Sequence, residues 1–283
     1  MIRRLLKRLY FFYRASIWAI IWVQLRVILI LPKGIFIVSD IAASMSSRRT
    51  LVHHSGIKLI FSTPNWLTKK RAKDFTNDEP ETLAWIEEFE EHSVFWDVGA
   101  NVGSYSMYAA VLKKCEVVAF EPSFLNLVTL QENIRLNNLS DSITIFPIGL
   151  SSSTSLKTLF LSKENFMSGG AHNSLGKPVD QYGNTLKDTH RIVVPAETLD
   201  DFSKRYDKGV PDYLKIDVDG LELMVLQGAT HILRLVSQVS IELLGQNATN
   251  RLIHKILRDA GLTRVTPEYA NQRNIIYSRP SIK

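Results

Sequence analysis

From Ser93 onward, short apolar segments alternate with amphipathic segments of helical periodicity, and this alternation constrains the fold more than any other feature. Apolar runs predict strands at 94–98, 116–120, 143–148, 213–217, 239–242 and, more weakly, 263–266 and 275–277. Helical spacing predicts helices at 104–112, 124–137, 199–206, 221–235 and 249–260. We therefore expect an α/β fold with a mainly parallel sheet, helices on both faces, and ligands at the carboxyl ends of the strands.

Length and composition predict one large domain with an N-terminal extension. Of the 283 residues, 45% are hydrophobic and 22% are charged, which is enough apolar material for a core. The single cysteine, Cys115, excludes an intrachain disulfide framework and a multi-cysteine zinc site. We divide the chain into an N-terminal segment at 1–50, elements that pack on the core at 51–92, and the α/β domain at 93–283.

The positive charge of the chain is concentrated at its N-terminus. Residues 1–49 carry nine Lys or Arg side chains against one acid, Asp40, whereas the whole chain has a net charge of +6, so the remainder carries about −2. A domain without net positive charge cannot neutralise nucleic-acid phosphates over a broad face. We therefore expect no nucleic-acid partner.

Residues 1–33 combine this charge with an apolar stripe. Trp18 and Trp22 lie in an apolar run that Arg26 interrupts after about 11 residues, whereas a spanning helix needs about 20. Basic amphipathic helices of this kind bind the surface of anionic membranes. We predict a cytoplasmic protein held at the membrane surface through residues 1–33. The alternatives are a helical pair packed on the α/β domain and a spanning anchor.

The first strand of the α/β domain leads into a glycine-containing turn, Asp97-Val-Gly-Ala-Asn-Val-Gly-Ser-Tyr105. Gly99 and Gly103 permit a tight turn and a close approach of backbone to ligand. Their spacing differs from the G-x-G-x-x-G of dinucleotide sites, and a carboxylate at the mouth of the turn disfavours a phosphate. The motif indicates a ligand with a positively charged or hydrogen-bond-donating end.

The second strand ends in Phe120-Glu121-Pro122. A carboxylate at this strand tip can accept hydrogen bonds from both hydroxyls of a ribose. Sites for NAD and for S-adenosyl-L-methionine share this feature, so Glu121 alone does not distinguish them. Asp97 together with the Gly-x-x-x-Gly spacing favours S-adenosyl-L-methionine.

A third cluster places three acids within six residues. Asp217 ends a strand, Asp219 and Gly220 form a turn, and Glu222 lies in the first turn of the next helix. Such acids repel one another unless a cation or a proton donor lies among them. Asp219 and Glu222 also suit the capping of a helix N-terminus. We expect Lys215 to pair with one of the acids.

Together these motifs resemble those of the FkbM-type S-adenosylmethionine-dependent methyltransferases over roughly residues 93–245. The resemblance rests on segments 95–105, 118–122, 197–199 and 212–220, the last continuing to 225–229, with Asn133 and Asn137 after the second segment. The family usually has Glu where Asp219 stands. The resemblance implies a Rossmann-like class I methyltransferase sheet of about seven strands and S-adenosyl-L-methionine as cofactor. It also implies methyl transfer, mostly to oxygen, on a sugar or glycan, a lipid-linked intermediate or another small molecule.

The resemblance also implies roles for single residues. The residues expected to line the methionine and adenosyl side of the cofactor are Asp97, Gly99, Asn101, Gly103 and Tyr105. Glu121 would hold the ribose, with Pro122 beside it, and Asp217 would face the methionine amino group or the acceptor.

A hydroxyl acceptor must lose its proton, which requires a general base within hydrogen-bond reach. The candidates are Asp217, Asp219 and Glu222, with His172 as a further one. His172 lies in the connection 148–193, which is too long for bare linkage and is predicted to form a lid on the acceptor side. Glu242, which ends the fifth predicted strand, is expected to face solvent or the acceptor. Carboxylates also suit Mg²⁺, but we predict no bound metal.

Two other classes of function stay open at this point. One is an NAD-dependent oxidoreductase on a Rossmann scaffold, against which the glycine spacing and Asp97 argue. The other is a non-catalytic, membrane-tethered interaction module, against which the complete set of acids and glycines argues. The sequence fixes neither the acceptor nor the oligomeric state.

Overall fold

The structure is a computed structural model that describes residues 22, 36, 39–40, 44, 47–163, 166–171, 173–180, 183–206, 209–243, 248–265 and 273–280. The chain divides into two compact units, Met1–Arg48 and Arg49–Lys283. The predicted membrane-binding segment 1–33 lies, apart from Trp22, outside the described residues. Among the helices that are described, none is long and apolar enough to cross a membrane.

A seven-stranded sheet forms the centre of the second unit. Its strands are β3 (Val94–Val98), β4 (Glu116–Phe120), β5 (Ile143–Phe146), β10 (Tyr213–Ile216), β11 (Gln238–Glu242), β12 (Thr263–Arg264) and β13 (Asn274–Ser278). They lie side by side in the order β12-β13-β11-β10-β3-β4-β5. Strands β5, β4, β3, β10 and β11 pair in parallel, and β13 is antiparallel to both of its neighbours. This confirms the predicted fold class.

The position of the ligand site follows from the strand order. The chain moves outward from β3 through β4 to β5 and later returns to β10 on the other side of β3. Connections therefore leave β3 and β10 in opposite directions. In open α/β sheets, a crevice forms at such a point and binds ligands.

Helices cover both faces of this sheet. They are α1 (Trp66–Asp78), α2 (Pro80–Glu87), α3 (Ser104–Lys113), α4 (Phe124–Leu136), α5 (Leu199–Tyr206), α6 (Glu222–Gln227) and α7 (Ala248–Asp259). Helices α1 to α4 contribute to the core that contains Phe95, and α5 to α7 contribute to the core that contains Trp96. Adjacent residues of β3 thus enter opposite cores, as the two-residue repeat of a strand requires.

A hairpin of β1 (Arg49–His54) and β2 (Ile57–Ser62) packs against α4. The side-chain oxygens of Asn133 and Asn137 accept hydrogen bonds from the backbone N–H groups of Ser62 and Ile60, at 2.6 and 2.9 Å. These two asparagines, which belong to the motifs of the family resemblance, therefore hold the hairpin to the α/β domain.

Helix α1 is an element that the sequence analysis does not predict. Its buried side chains, Thr68, Ala72 and Phe75, follow helical spacing, but one is polar and one is small. A capping box begins the helix, because Asn65 accepts from the N–H of Thr68 while the Thr68 side chain accepts from the N–H of Asn65. The hydrophobic pattern is thus too weak to reveal a helix that its cap defines clearly.

The connection between β5 and α5 folds as a second sheet. Its strands are β6 (Gly149–Leu150), β7 (Ser155–Ser162), β8 (Ser174–Leu175) and β9 (Thr189–Glu197), in the order β6-β9-β7-β8. Leu159, Leu161, Val194 and Ala196 form a small core beneath it. The connection that was predicted to form a lid therefore contains a regular β-sheet. His172 lies outside the described residues.

The predicted continuous helix at 221–235 is wrong, because α6 ends before Gly228 and a short 3₁₀ helix, Ile232–Arg234, follows. A Cβ at Gly228 would lie 2.2 Å from the carbonyl oxygen of Ser151, so the chain approaches the second sheet too closely for another residue there. Asp200 accepts hydrogen bonds from the N–H groups of His231 and Ile232, which starts a new helical turn.

Candidate functional site

A cavity of about 400 Å³ lies at the carboxyl ends of the parallel strands, around the point where the strand order reverses. Along the sheet edge, it is lined by Glu121 after β4, Gly99 after β3, Asp217 after β10 and Glu242 at the end of β11. Adjacent strands are roughly 4.8 Å apart, so this row extends over about 14 Å. A cavity of this size and length suits an elongated small molecule.

The turn after β3 forms the wall of the cavity next to β10. Gly99 has a φ of +86°, and a Cβ there would lie 1.9 Å from the carbonyl oxygen of Asp217. The N–H groups of Gly99 and Ala100 both donate to the carbonyl of Phe120, at 3.0 and 3.1 Å. Glycine is therefore required at 99, because the turn is pressed against β10 and tied to β4.

Glu121 occupies the β4 end of the cavity and is buried. Its Oε2 accepts from the N–H of Asn101 and its Oε1 from the N–H of Ser123, both at 2.8 Å. Burial raises the pKa of Glu121 to about 7, although these hydrogen bonds oppose the rise. The side chain of Asn126 is a third hydrogen-bond partner, so one of the four lone pairs of the carboxylate remains for a ligand hydroxyl. Pro122 also lines the cavity, so both predicted residues of this strand end lie in the site.

Asn101 connects the turn after β3 to the inserted segment between β7 and β8. Its Nδ2 donates to the carbonyl of Gly170 at 3.0 Å, and Asn126 Nδ2 donates to the same oxygen at 3.2 Å. The Oδ1 of Asn101 is buried and has no hydrogen-bond partner in the part of the chain that the structure describes. Since buried polar atoms are nearly always paired, this oxygen lacks a partner that its burial would normally require.

The inserted segment is fixed to the rest of the domain from two further sides. Arg71 Nε donates to the carbonyl of Gly169 at 2.7 Å, and Asn65 Nδ2 donates to the carbonyl of Ser168 at 3.0 Å. Gly170 and Ala171 line the cavity. Backbone of the insertion therefore forms part of the binding site.

Asp97 does not line the cavity, although the sequence analysis places it on the cofactor side. It is buried on β3 opposite Lys215 of β10, and its Oδ2 accepts from Ser106 Oγ at 2.5 Å. Burial raises its pKa, with the charge of Lys215 and the hydrogen bond from Ser106 acting against the rise. The predicted contact between Asp97 and the ligand stays a prediction.

Lys215 lies among the acids of the site and is 1% exposed. Its Nζ is 2.7 Å from Asp217 Oδ2 and 3.9 Å from Glu79 Oε2, and it lies 4.9 Å from the centre of the Tyr105 ring. Burial acts to lower the pKa of Lys215, but the carboxylates of Asp217 and Glu79 raise it more strongly. Burial acts to raise the pKa of Asp217, but Lys215 holds it below its usual value. The predicted pairing of Lys215 with an acid is confirmed.

Glu242 is the next acid along the sheet edge after Asp217, and it is 8% exposed. Arg273 Nη1 lies 3.6 Å from its Oε1. Burial and the charge of Asp217 raise the pKa of Glu242 to about 8, while Lys215 and Arg273 limit the rise. Glu242 therefore faces the cavity, and its predicted contact with the acceptor stays a prediction.

The remaining predicted acids of the third cluster lie at different places. Asp219 lines the cavity and has a φ of +51°. Glu222 does not line it, and its Oε1 accepts from the N–H groups of Val218 and Gly220 at 3.2 and 3.0 Å. Burial raises the pKa of Glu222 to about 7. The structure thus shows Glu222 stabilising the turn after β10, while its predicted role as a base stays a prediction.

Of the other predicted cofactor residues, Tyr105 lines the cavity and Gly103 does not. Burial and the charge of Glu79 raise the pKa of Tyr105, so its hydroxyl is neutral. Gly103 begins α3 with a φ of +81°, and a Cβ there would lie 2.2 Å from Leu130 Cδ1. Its role in this structure is the packing of α3 against α4.

The sequence analysis missed one part of the site. This part is formed by residues of α1, by Glu79 between α1 and α2, and by Arg273 before β13. Arg71, Phe75, Asp78, Glu79 and Arg273 all line the cavity. None of them belongs to a motif, and α1 itself is not predicted. The capping-box pattern of Asn65 and Thr68 was the available signal for this helix. Among the described residues, no group of three or more His, Cys, Asp or Glu is arranged to hold a metal ion.

Three similar proteins illustrate the relationships of the chain. The hexuronic acid methyltransferase AglP of Haloferax volcanii is 27% identical over 175 residues, which cover 61% of this chain and 65% of AglP. The methyltransferase sdnD of Sordaria araneosa is 29% identical over 210 residues, which cover 65% of this chain and 80% of sdnD. The structure of M. jannaschii TYW2 in complex with AdoMet aligns with a TM-score of 0.41 and 12% identity, covering 82% of this chain and 87% of TYW2.

The family model for the methyltransferase FkbM domain matches residues 97–262. This range begins at Asp97 and includes every strand of the large sheet after β3 up to β11, together with α3 to α7. The match favours a methyltransferase over the oxidoreductase alternative. Since it covers more than half of the sequence, the chain belongs to the FkbM methyltransferase family.

Proposed function

We propose that this protein is an S-adenosyl-L-methionine-dependent methyltransferase that methylates a hydroxyl group of a sugar, a glycan or a lipid-linked intermediate. The observation that carries the proposal is the row of groups along the strand ends. Glu121, Asn101 and Asp217 stand on one side of it, and Glu242 and Arg273 stand on the other. One cavity thus offers a place for a nucleoside and, beside it, a place for a polar acceptor.

The residues present fit the cofactor. Glu121 has a lone pair for a ribose hydroxyl, and Asn101, whose N–H holds the other face of this carboxylate, lines the cavity beside it. Asp217 is kept ionised by Lys215, so it can pair with an ammonium group at the amino-acid end. When bound, the cofactor supplies a methyl group on a sulfonium sulfur. The protein contributes the positions of the two reactants, which supplies much of the rate acceleration in such a displacement.

The acceptor side of the cavity suits a polyhydroxylated molecule. Asp78 and Glu242 offer hydrogen-bond acceptors, Arg71 and Arg273 offer donors, and Phe75 offers an aromatic surface. Sugar hydroxyls both donate and accept hydrogen bonds, so a wall with both kinds of partner can orient them. The relation to AglP, whose name gives a hexuronic acid as its substrate, supports a sugar as acceptor.

Calorimetric titration with S-adenosyl-L-methionine and S-adenosylhomocysteine tests the cofactor. We expect micromolar binding by the wild-type protein and no binding of NAD. Glu121→Gln keeps the shape but removes the charge, which should weaken binding roughly 10- to 100-fold because charged hydrogen bonds contribute about 1.5–3 kcal/mol. Glu132→Gln, at an exposed carboxylate of α4 that pairs with Arg135, is the matched control and should bind normally. A folded wild-type protein that binds neither compound would contradict the proposal.

Transfer of an isotopically labelled methyl group tests the acceptor. The methyl glycoside of glucuronic acid and that of glucose are compared as acceptors, with mass spectrometry of the products. Methylation of a hydroxyl on either sugar supports a sugar acceptor. If the protein binds the cofactor but methylates neither sugar, the proposal of a sugar acceptor is contradicted, whereas the proposal of a methyltransferase is not.

A further inference from the structure

The cavity contains several carboxylates, and their positions distinguish them as proton acceptors. Asp217 is held 2.7 Å from Lys215, which stabilises its ionised form and makes it a weak base. Asp219 lies toward the opposite end of the site, where its charge acts on Glu121. Glu222 is outside the cavity and is occupied by the backbone of its own turn. None of these acids faces the acceptor side with a free basic oxygen.

Glu242 differs from them in position. It ends β11, one strand beyond Asp217, on the side of the cavity away from Glu121. The charged groups that face it are Glu79 between α1 and α2, Lys215 of β10, Asp217 directly after β10, and Arg273 before β13. Its nearest cation, Arg273, is 3.6 Å from Oε1, and its carboxyl group also forms a side-chain hydrogen bond with Asp217, to which Glu242 donates when it is protonated.

We propose that Glu242 accepts the proton of the acceptor hydroxyl and that Arg273 is the positioning residue that orients its carboxylate. The inference rests on the proposed function. As the acceptor oxygen forms its bond to the methyl carbon, the carbon–sulfur bond of the donor breaks and its electron pair stays on sulfur. The O–H bond of the acceptor breaks, and its proton passes to a carboxylate oxygen of Glu242. Each bond and each charge is then accounted for without a further reactant.

The electrostatics of the site agree with this role. Burial and the neighbouring Asp217 raise the pKa of Glu242 to about 8, and a general base is most effective when its pKa lies near the working pH. Only the ionised form accepts a proton, so kcat/KM should rise with pH and level off above about 8. Removing the charge of Arg273 raises the pKa of Glu242 further, because the cation favours the ionised carboxylate. The rise in kcat/KM should then move to higher pH.

The test uses the full-length chain with S-adenosyl-L-methionine and the methyl glycoside of glucuronic acid. We expect Glu242→Gln to lower kcat by about 10²- to 10⁴-fold, the usual contribution of a general base. Binding of S-adenosylhomocysteine should change less than threefold, because Glu242 lies on the acceptor side. Arg273→Gln should shift the pH profile upward, and Arg273→Lys should restore it in part. Glu132→Gln serves as the control with unchanged activity and pH profile.

A readout that does not depend on turnover is the carboxyl titration of ¹³C-labelled glutamate, followed by NMR. The wild type should show a glutamate with a pKa of about 8 that disappears in Glu242→Gln and moves upward in Arg273→Gln. A Glu242→Gln variant that binds S-adenosylhomocysteine and transfers methyl groups at the wild-type rate overturns this inference alone. Absence of the titration near pH 8 also overturns it. Failure of the wild type to bind S-adenosylhomocysteine overturns the proposed function and, with it, this role.

Discussion

Replacing Lys215 with methionine removes the buried cation but approximately preserves the volume of the side chain. At an effective dielectric constant of about 20, the 2.7 Å contact with Asp217 corresponds to roughly 6 kcal/mol of attraction. Desolvation of the two ions offsets much of this, and removal of one partner from a buried pair costs about 3–5 kcal/mol. We therefore expect Lys215→Met to lower the free energy of unfolding by about 3–5 kcal/mol at pH 8.

The size of this loss should depend on pH. Without Lys215, burial raises the pKa of Asp217 above its unfolded-state value, so the folded variant binds a proton that the unfolded chain has released. Stability from a raised carboxyl pKa is present below the unfolded pKa and is lost as pH rises through the folded pKa. The difference between variant and wild type should therefore increase from pH 5 to pH 8. The double variant Lys215→Met with Asp217→Asn should recover part of the loss, because a neutral amide needs no cation.

Urea unfolding at both pH values, followed by tryptophan fluorescence, measures these differences. Lys255→Met is a matched control, because Lys255 contacts Asp259 at 2.6 Å on an exposed helix face, with both side chains more than half exposed. Exposed pairs contribute less than about 1 kcal/mol. A loss of less than about 1 kcal/mol for Lys215→Met, or an equal loss at pH 5 and pH 8, would refute the buried ion pair as a source of stability.

Three further predictions follow from the turn at Gly99, the carboxyl of Glu222 and the N-terminal segment. Gly99→Ala should abolish cofactor binding in calorimetry. Gly56→Ala is the control, because Gly56 also has a positive φ but has open space around it; this variant should lose about 1 kcal/mol of stability and bind the cofactor as the wild type does. Burial raises the pKa of Glu222 to about 7, so this carboxyl alone should lower wild-type stability by up to about 3 kcal/mol between pH 5 and pH 8. Thermal melts should show a fall that is smaller by this amount for Glu222→Gln. Deletion of residues 1–33 should move the protein from the membrane pellet to the supernatant in fractionation while cofactor binding persists, and loss of binding would contradict a separable N-terminal segment.

The parts of the fold that the sequence predicts are those in which local pattern and burial agree. Strands at the centre of the sheet are mostly apolar, and their predicted bounds match the observed ones within two residues. The helix at 221–235 shows the limit of this reasoning, because its apolar periodicity continues past Gly228. The glycine there is required by the carbonyl of Ser151, and the turn that follows is capped by Asp200, both of which belong to distant parts of the chain.

The same distinction holds for the site. Glu121 and Gly99 are predicted because they follow strands directly, where the topology places the cavity. Glu79 and Arg273 come to the cavity through the packing of α1 and the start of β13, which no local motif encodes. Glu222 has the right residue type and spacing for catalysis, but the backbone of its own turn occupies it. Only the three-dimensional structure separates a carboxylate that faces a ligand from one that supports a loop.

The carbonyl of Gly170 accepts hydrogen bonds from Asn101, which lies in the turn after β3, and from Asn126 of α4. The inserted segment between β7 and β8 and the turn after β3 are therefore joined at one carbonyl oxygen, so on the proposed function a ligand that shifts the one would be coupled to a ligand that shifts the other. Coupling of this kind is reciprocal at equilibrium, and whatever factor the acceptor adds to cofactor affinity, the cofactor adds to acceptor affinity. On the proposed function, formation of a ternary complex would therefore depend on the insertion as well as on the two binding surfaces, and the Asn101 amide is the group that would connect them.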